Sequence, residues 1–422
     1  MTFRVLLTLD YEIHGDGSGS PRDLMIGPTE RLLAQLERHG ARLTVMADVA
    51  EILRFGRHRD ETGRDEFAYE EIRAQLRRAV RGGHDVQLHL HPSYYNARYA
   101  GGRLEQDWSE YDLARLPDAR LERIVGEAKG WLEELLRPVD PRYRCVAFRA
   151  ANWSMSPARG IVRALARNGI PIDTSVFKHG RRSGMVSFDY RAAPGELVPW
   201  RVDPEDVCRR DPRGPVWEFP IYCERRFLWH FLTPNRVYRA IEGRRHPLPR
   251  DEYSGSGEAR GALRRVARLG ELLLARHPWK LDLNQCSGSQ LVAALRRIER
   301  RYAGEEGPLP VVLIGHSKTF TAFNESTLEP FLRFVARNGD RFAFGTFRDF
   351  EAHAVAEAGS WGSCSTRWPA APSTRAPGTG SRRASPAGAG RSRPRSASGT
   401  AGSTRRRSGP SSRARSRPAS TP

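Results

Sequence analysis

The stretch Gly82–Asn96, GGHDVQLHLHPSYYN, decides how the rest of the chain is interpreted. Its central part, VQLHLHP, alternates apolar and polar residues up to His89 and His91. A period of two predicts a β-strand that places both imidazoles on one face. Histidine is the commonest nitrogen ligand for zinc-like ions. Two imidazoles on one rigid strand, closed by Pro92, therefore predict half of a metal site that other parts of the chain must complete.

Apolar strands alternate with helices on both sides of this stretch. Phe3–Leu9 predicts a buried strand, Pro28–His39 a helix with proline in its first turn, and Arg42–Ala47 a second strand. The order strand, helix, strand predicts parallel pairing with a right-handed crossover. Further helices are predicted at Tyr69–Val80, Ala119–Leu136, Pro157–Asn168, Gly288–Tyr302 and Ser326–Arg337, and further strands at Cys145–Phe148, Ile170–Thr174, Lys280–Leu283, Pro310–Ile314 and Phe342–Gly345.

This alternation indicates an α/β fold. Roughly seven or eight strands favour a distorted, closed or nearly closed (β/α) barrel over an open doubly wound sheet, and place the chemistry at the C-terminal ends of the strands. Residues 178–278 interrupt the alternation, with more proline, arginine and aromatic residues. Within them we predict a strand at Val216–Ile221 and a helix at Ala259–Arg276. The segment is interpreted as an elaboration inserted into, or capping, the barrel.

The positive charge of the chain is concentrated at one end. The formal charge is +20, but 13 arginines and no acids lie from Ser360 to Pro422, which leaves +7 for the first 359 residues. Residues 358–422 contain almost no apolar side chains, so we predict a disordered tail after a barrel domain of residues 1–357. The tail fits either an evolved basic segment or a shifted reading frame. No nucleic-acid-binding motif accompanies the charge, and we predict no nucleic-acid partner.

Cysteine spacing and hydropathy narrow the class of protein further. The five cysteines are scattered without a C-x-x-C pair, which predicts neither a disulfide framework nor a thiolate metal site. The first residues lack the pattern of a secretory signal. No uncharged apolar run approaches the ~20 residues that span a bilayer. We therefore expect a cytoplasmic protein without a membrane span.

Polar residues stand where four of the predicted strands end. A single carboxylate or histidine at a strand end is usually a helix cap or a packed core residue. Each of these residues, taken alone, has that ordinary structural explanation. Four such strand ends in one barrel are harder to explain by packing. The residues concerned are Asp10 and Glu12 in LTLDYEIHGDG, His89 and His91, Arg149 in AFRAANWSMSP, and His316 in VVLIGHSK.

These residue types suit metal-assisted hydrolysis. One or two carboxylates and two imidazoles can hold a divalent ion with an open position for water, and the ion makes that water more acidic. A carboxylate that is not a ligand can accept the proton of the water, and a separate histidine can protonate a leaving amine. Arg149 would then keep that carboxylate ionised and oriented.

The segments TLDYE, GHDVQLHLHP, FRAANW and LIGHSK, in this order, resemble the motifs of the polysaccharide deacetylase family (NodB homology, carbohydrate esterase family 4). The resemblance covers roughly Met1–Glu351 and is weak in the middle. It implies a distorted (β/α) barrel, a divalent metal with Zn²⁺ as the expected ion, and removal of N-acetyl groups from sugars. The implied partner is a carbohydrate or another small N-acyl substrate.

The resemblance assigns roles to the first half of the site. Asp10 matches the catalytic base, and Glu12 would replace the metal-binding acid, displaced by one position. His89 matches the first metal-binding histidine. Where the family has its second histidine this chain has Ser93, so His91 is the expected third ligand.

The second half of the site follows from the later motifs. Arg149 matches the arginine of the third motif, although the usual Arg-x-Pro-Tyr is replaced by Arg-Ala-Ala-Asn-Trp. His316 matches the general acid. Asp173 resembles only weakly the acid that orients this histidine, and a strand-end cap explains it equally well. Four aromatic residues suit either sugar stacking or ordinary packing, namely Tyr94, Tyr95, Trp108 and Trp153.

Three functions remain open from the sequence. The first is hydrolysis of an N-acyl group on an amino sugar or glycan precursor. The second keeps the barrel and the metal but hydrolyses another C–N bond, as in allantoinase-like proteins. The third is a non-catalytic carbohydrate-binding or scaffold protein with the same fold, which would be supported if Asp10, His89 and His316 lay apart. The sequence predicts neither the substrate nor the oligomeric state.

Overall fold

A ten-stranded sheet with flanking helices forms the centre of the computed structural model, which describes residues 3–245, 274–305, 307–352 and 354. The predicted tail 358–422 and residues 259–273 of the predicted helix lie outside the described residues. The helices are α1 (Gly27–Glu37), α2 (Val49–Thr62), α3 (Tyr69–Arg81), α4 (Asp118–Leu136), α5 (Arg159–Arg167), α6 (Pro234–Arg245), α7 (Gly288–Arg301) and α8 (Ala322–Arg337). The strands are β1 (Phe3–Tyr11), β2 (Leu43–Asp48), β3 (Asp85–Leu90), β4 (Arg98–Ala100), β5 (Arg103–Glu105), β6 (Ala147–Ala150), β7 (Ile172–Asp173), β8 (Arg181–Arg182), β9 (Phe188–Asp189), β10 (Trp200–Asp203), β11 (Asp206–Arg210), β12 (Trp217–Glu218), β13 (Cys223–Phe227), β14 (Arg276–Lys280), β15 (Leu309–His316) and β16 (Phe342–Phe344).

The main sheet is mostly parallel and curls on itself. Its order is β11, β10, β12, β7, β6, β3, β2, β1, β15, with β16 paired to β1. Within this sheet only β10 pairs in the antiparallel sense, with β11 on one side and β12 on the other. Ile221, just after β12, forms a parallel bridge with Val312 of β15, and its N–H donates to the carbonyl of Val176. The prediction of an α/β fold with a distorted, nearly closed barrel is confirmed.

β1 and β15 show how the sequence builds this barrel. Every residue of β15, LPVVLIGH, is buried, and in β1, FRVLLTLDY, only Arg4 is partly exposed. Near-continuous apolar runs are typical of parallel strands that are covered on both faces. The register of the two strands places Asp10 opposite His316. Their polar ends therefore leave the core at the same level.

Tertiary pairing corrects several sequence-based boundaries. The structure adds α2, a helix absent from the sequence-based prediction, in which Asp48 is the N-cap. Arg276, predicted as the end of a helix, begins β14 and pairs with Phe227 of β13, because the partner strand overrides local helix propensity. Within the described part of residues 178–278, β12 and the hairpin of β10 and β11 extend the main sheet.

Four of the five cysteines lie within the described residues. All four are buried free thiols, namely Cys145, Cys208, Cys223 and Cys286. Burial raises the pKa of the Cys145 thiol, which makes it a poor nucleophile. Among the described helices, none has the length and apolar character required to traverse a bilayer.

Asp85 is a buried acid at the start of β3, at the opposite end of that strand from His89. Its Oδ1 accepts a hydrogen bond from Gln87 Nε2 at 2.9 Å, whereas its Oδ2 has no partner among the described residues. Burial raises the pKa of Asp85 to about 7. The folded state therefore favours the protonated acid. The stability that this group contributes is complete below its unfolded pKa of about 4 and is lost as the pH rises through about 7.

We expect Asp85→Asn to be more stable than the wild type at pH 8, with a smaller difference at pH 5. One pKa unit corresponds to about 1.4 kcal/mol, so the difference in the free energy of unfolding should change by about 2–3 kcal/mol between these pH values. Urea unfolding followed by circular dichroism measures it. Asp60→Asn, at a side chain that is 68% exposed, is the control. Equal pH responses of the two variants would contradict the assignment.

Candidate metal centre and catalytic residues

Five neighbouring strands end with polar residues on one side of the barrel. Their order in the sheet is β6, β3, β2, β1, β15, and they carry Arg149, His89, Asp48, Asp10 and His316 at or near their C-terminal ends. Asp48 pairs with His89, His89 with Arg149, and Asp10 with His316. Because the carboxyl ends of parallel strands meet at one edge, these side chains converge in a single site.

Glu12, His89 and His91 form a compact group of ligand atoms. Glu12 Oε2 lies 3.5 Å from His89 Nε2 and 3.0 Å from His91 Nε2. One ligand atom from each residue lies within 4.8 Å of the other two. Ligand atoms that each bond an ion at about 2 Å are roughly 3–4 Å apart. The three residues therefore have the spacing that one divalent ion requires.

Hydrogen bonds orient this group for metal binding. His89 Nδ1 lies 2.9 Å from the carbonyl oxygen of Arg149, so Nδ1 carries the proton and Nε2 is left as the ligand atom. The backbone N–H of His91 donates to Asp48 Oδ1 at 3.1 Å. A nitrogen, nitrogen, oxygen donor set, with the His89 ring oriented and the His91 backbone held in place, fits a zinc-type ion.

The charges around Glu12 and His89 balance each other. Burial alone raises the pKa of Glu12, but the ammonium of Lys318 and the imidazole of His91 bring it well below its usual range. Lys318 Nζ donates to Glu12 Oε1 at 2.9 Å and to the carbonyl of Ile13 at 3.0 Å. Burial lowers the pKa of His89, yet the carboxylates of Asp10 and Glu12 raise it to about 9. A metal ion would therefore have to displace a proton from His89.

Asp10, Arg149 and His316 form a second group beside the first. Arg149 is fully buried, and its guanidinium donates to Asp10 Oδ1 at 2.6 Å, to Thr8 Oγ1 at 2.9 Å and to the carbonyl of Thr174 at 3.0 Å. Asp10 Oδ2 lies 3.5 Å from His316 Nε2. Burial raises the pKa of Asp10, but the charge of Arg149 and the nearby imidazoles lower it on balance. Asp10 is therefore an oriented, ionised carboxylate.

An amide side chain fixes the position of His316. The backbone N–H of His316 donates to Asn284 Oδ1 at 2.6 Å, and Asn284 Nδ2 donates to the carbonyl of His316 at 3.2 Å. The ring of Trp153 meets the imidazole edge-on at 6.1 Å between centroids. Lys280 Nζ lies 3.5 Å from the centroid of the Trp153 ring. The Trp153 ring, with Lys280 over it, therefore forms a wall of the site next to His316, the candidate general acid.

This wall is built on an unusual turn. Asn152 and Trp153 have φ values of 54° and 58°, a left-handed conformation that non-glycine residues rarely adopt. Tyr190 holds the turn, because its hydroxyl donates to the carbonyl of Trp153 at 2.5 Å and accepts from the N–H of Met155 at 2.9 Å. Strained backbone of this kind often accompanies a functional site.

The four aromatic residues singled out in the sequence divide into two pairs. Trp153 lies against His316, and the ring of Tyr94 lies 6.3 Å from that of His91. Outside the site, Trp108 packs against Tyr111 at 5.1 Å, and Arg120 lies over the ring of Tyr95 at 5.1 Å.

Four site residues are absent from the sequence-based prediction. Asp48 is the last residue of β2, and Asp10 lies one residue before the end of β1. A polar strand end is therefore the one sequence signal for Asp48, but a helix cap explains it equally well. Glu51 accepts the N–H of Ile13 at 3.1 Å, which anchors the loop after Glu12. Lys318 and Asn284 lie on loops, and only the folding of these loops brings them to the site. They give no local signal in the sequence.

Asp173 lies next to another buried acid, Glu218, and not in the group of Asp10, Arg149 and His316. Its Oδ1 accepts a hydrogen bond from Ser175 Oγ at 2.6 Å, and its strand partner is Glu218. Burial and the neighbouring acid raise the pKa of Glu218 well above its usual range. Burial also raises the pKa of Asp173.

Comparisons with known proteins give only structural likenesses. No family model matches the sequence, and no curated protein matches it either. Solved structures that match include one described as a polysaccharide deacetylase from Mycobacterium smegmatis (14% identity, TM-score 0.41, 84% of this chain and 91% of that chain). Another is Puue allantoinase (12%, 0.44, 84% and 90%). A third is a family 4 carbohydrate esterase from Streptomyces lividans in complex with acetate (11%, 0.35, 81% and 92%). All three TM-scores are below 0.5, so these likenesses assign no function to this chain.

Proposed function

We propose that this chain is a metal-dependent hydrolase that removes an acyl group, such as N-acetyl, from an amino sugar or a glycan precursor. One observation carries the proposal. The Glu12, His89 and His91 ligand group lies beside an ionised carboxylate, Asp10, which is itself 3.5 Å from a histidine, His316. Amide hydrolysis needs an activated water, a base and an acid in one place, and these two groups supply the residues for each.

Glu12, His89 and His91 would hold the ion, and Zn²⁺ is the ion that we propose. When bound, a divalent ion lowers the pKa of water towards neutrality and polarises a carbonyl oxygen. Glu12 contributes the anionic ligand, and both imidazoles contribute neutral nitrogen. The ammonium of Lys318 on the second oxygen of Glu12 leaves Oε2 as the oxygen that faces the two imidazoles.

The remaining residues move the protons. Asp10 accepts the proton of the attacking water, and Arg149 keeps Asp10 ionised and points its carboxylate into the site. His316 donates a proton to the nitrogen as the C–N bond breaks. The products are a carboxylic acid, which releases a proton to solvent as it ionises, and an amine. Transfer of the proton from Asp10 to His316, whose facing atoms lie 3.5 Å apart, restores both residues. Trp153 and Lys280 border the position that the leaving group would occupy beside His316.

The same residues would also hydrolyse another C–N bond, such as that of a ureide. None of the groups described above is specific for a sugar, so this second activity remains the alternative substrate class. The proximity of Asp10 to His316 favours hydrolysis over carbohydrate binding without catalysis. A panel of N-acetylated sugars and ureides, assayed for acid and amine release, separates the two substrate classes.

Asp10→Asn tests the proposal directly. We expect the variant to keep its metal, because Asp10 is not in the ligand group, but to lose about 10³-fold or more in kcat, since removal of a general base typically costs 10²–10⁴-fold. Metal content is measured by mass spectrometry, and turnover by acetate release. The control is Asp107→Asn, at a surface acid that bonds Ser109 and Asn96. Wild-type turnover in Asp10→Asn would reject Asp10 as the base.

A further inference from the structure

A basic cavity of about 560 Å³ lies beside the hairpin of β13 and β14. Six arginines and two glutamates line it, together with His179 and Tyr222. Residues of the hairpin, of α7 and of the loop before β10 form its walls. None of these residues belongs to the metal centre or to the group of Asp10, Arg149 and His316. The cavity is therefore a separate feature of the fold.

Two buried glutamates fix three of the arginines. Glu224 accepts from Arg297 Nε at 3.1 Å and from the hydroxyl of Tyr222 at 2.8 Å, and it also pairs with Arg226. On the other wall, Glu196 pairs with Arg301 and lies 3.1 Å from His179 Nε2. Only 7% of each glutamate is exposed. A paired arginine with a fixed side chain is pre-organised, so it loses little entropy when it binds a ligand.

The other three arginines have no acidic partner within the part of the chain that the structure describes. Arg225 donates to the carbonyl of Arg276 at 3.3 Å, and Arg300 donates to the carbonyl of Arg296 at 3.2 Å. The guanidinium of Arg276 lies over the ring of Phe227 at 5.0 Å. Each of these arginines keeps donors for a ligand. Two glutamates against six arginines leave the lining with a formal charge of +4.

We propose that this cavity binds a ligand that bears a phosphate or diphosphate group. Arginine presents a planar fork of donors that matches phosphate oxygens, and several guanidiniums converging on one cavity suit a multiply charged anion more than a single carboxylate. The two glutamates act as positioning residues, because they hold arginines and would repel the ligand themselves. Arginine is abundant throughout this chain, so the alternative is an ordinary solvated surface.

Calorimetric titration of the full chain with inorganic phosphate and with pyrophosphate, at constant ionic strength, tests the site. The test variant is Arg225→Gln/Arg276→Gln/Arg300→Gln, whose side chains are solvent-exposed and lack acidic partners among the described residues. The control variant is Arg81→Gln/Arg123→Gln/Arg337→Gln, which removes the same charge from exposed positions elsewhere. Both variants keep the arginines of residues 358–422, so the background from that segment is the same in each.

We expect saturable binding of pyrophosphate by the wild type and the control variant, and at least a tenfold loss of affinity in the test variant. Inorganic phosphate should bind more weakly at the same site. Hydrolysis of an uncharged N-acetylated substrate should be the same in all three proteins, which keeps this result distinct from the proposed function. Equal binding by the test and control variants, or no saturable binding by the wild type, would overturn the proposal.

Discussion

His89→Ala and His91→Ala should each yield a folded protein that retains less than a tenth of the wild-type metal content and has lost at least 10³-fold in kcat. Each substitution removes one of three ligand atoms that lie within 4.8 Å of one another. Three protein ligands are the usual number in a catalytic zinc site, so two ligands should not hold the ion against dilution. The loss of the ion also removes the acidified water on which hydrolysis depends.

Metal analysis by mass spectrometry and a thermal unfolding scan measure this result together. A bound ion stabilises the folded state by mass action, so a chelator should lower the Tm of the wild type. It should leave the Tm of either variant unchanged. The matched control is His39→Ala, because His39 pairs with Glu329 at 3.0 Å outside the site. Full metal content in His91→Ala would show that this histidine is not a ligand.

The sequence predicts the barrel better than the boundaries of its elements. β1 and β15 are near-continuous apolar runs with polar residues at their ends, and parallel pairing follows from that pattern. Pairing across the chain has no such local signal. Arg276 is a strand residue because Phe227 lies opposite it. The helix predicted to end at Arg276 is therefore wrong at this residue.

The candidate site follows from the sequence where it depends on strand ends. Asp10, His89, Arg149 and His316 lie at or near the ends of apolar strands, so a shared edge of the sheet is enough to bring them together. Side chains that arrive on loops could not be predicted. Lys318 reaches Glu12 only because the turn after β15 folds back over the loop after β1.

Arg149 is a buried cation on which the stability of the site depends. Its guanidinium is fully buried and donates to a carboxylate, a hydroxyl and a backbone carbonyl. Removing one partner of a buried ion pair leaves the other charge without compensation, which typically costs 3–5 kcal/mol. The carboxylate of Asp10, 2% exposed, would be left in this position.

We therefore expect Arg149→Met to lower the free energy of unfolding by about 3–5 kcal/mol. Arg149→Met/Asp10→Asn should lose about 1–3 kcal/mol less than the sum of the two single variants, because the uncompensated charge is gone. Urea unfolding of the four proteins at pH 7 completes the cycle. The control Arg163→Met breaks an ion pair with Asp118 in which both side chains are about half exposed, and should cost less than about 1 kcal/mol. Strict additivity of the two substitutions would mean that Arg149 contributes packing alone and does not neutralise Asp10.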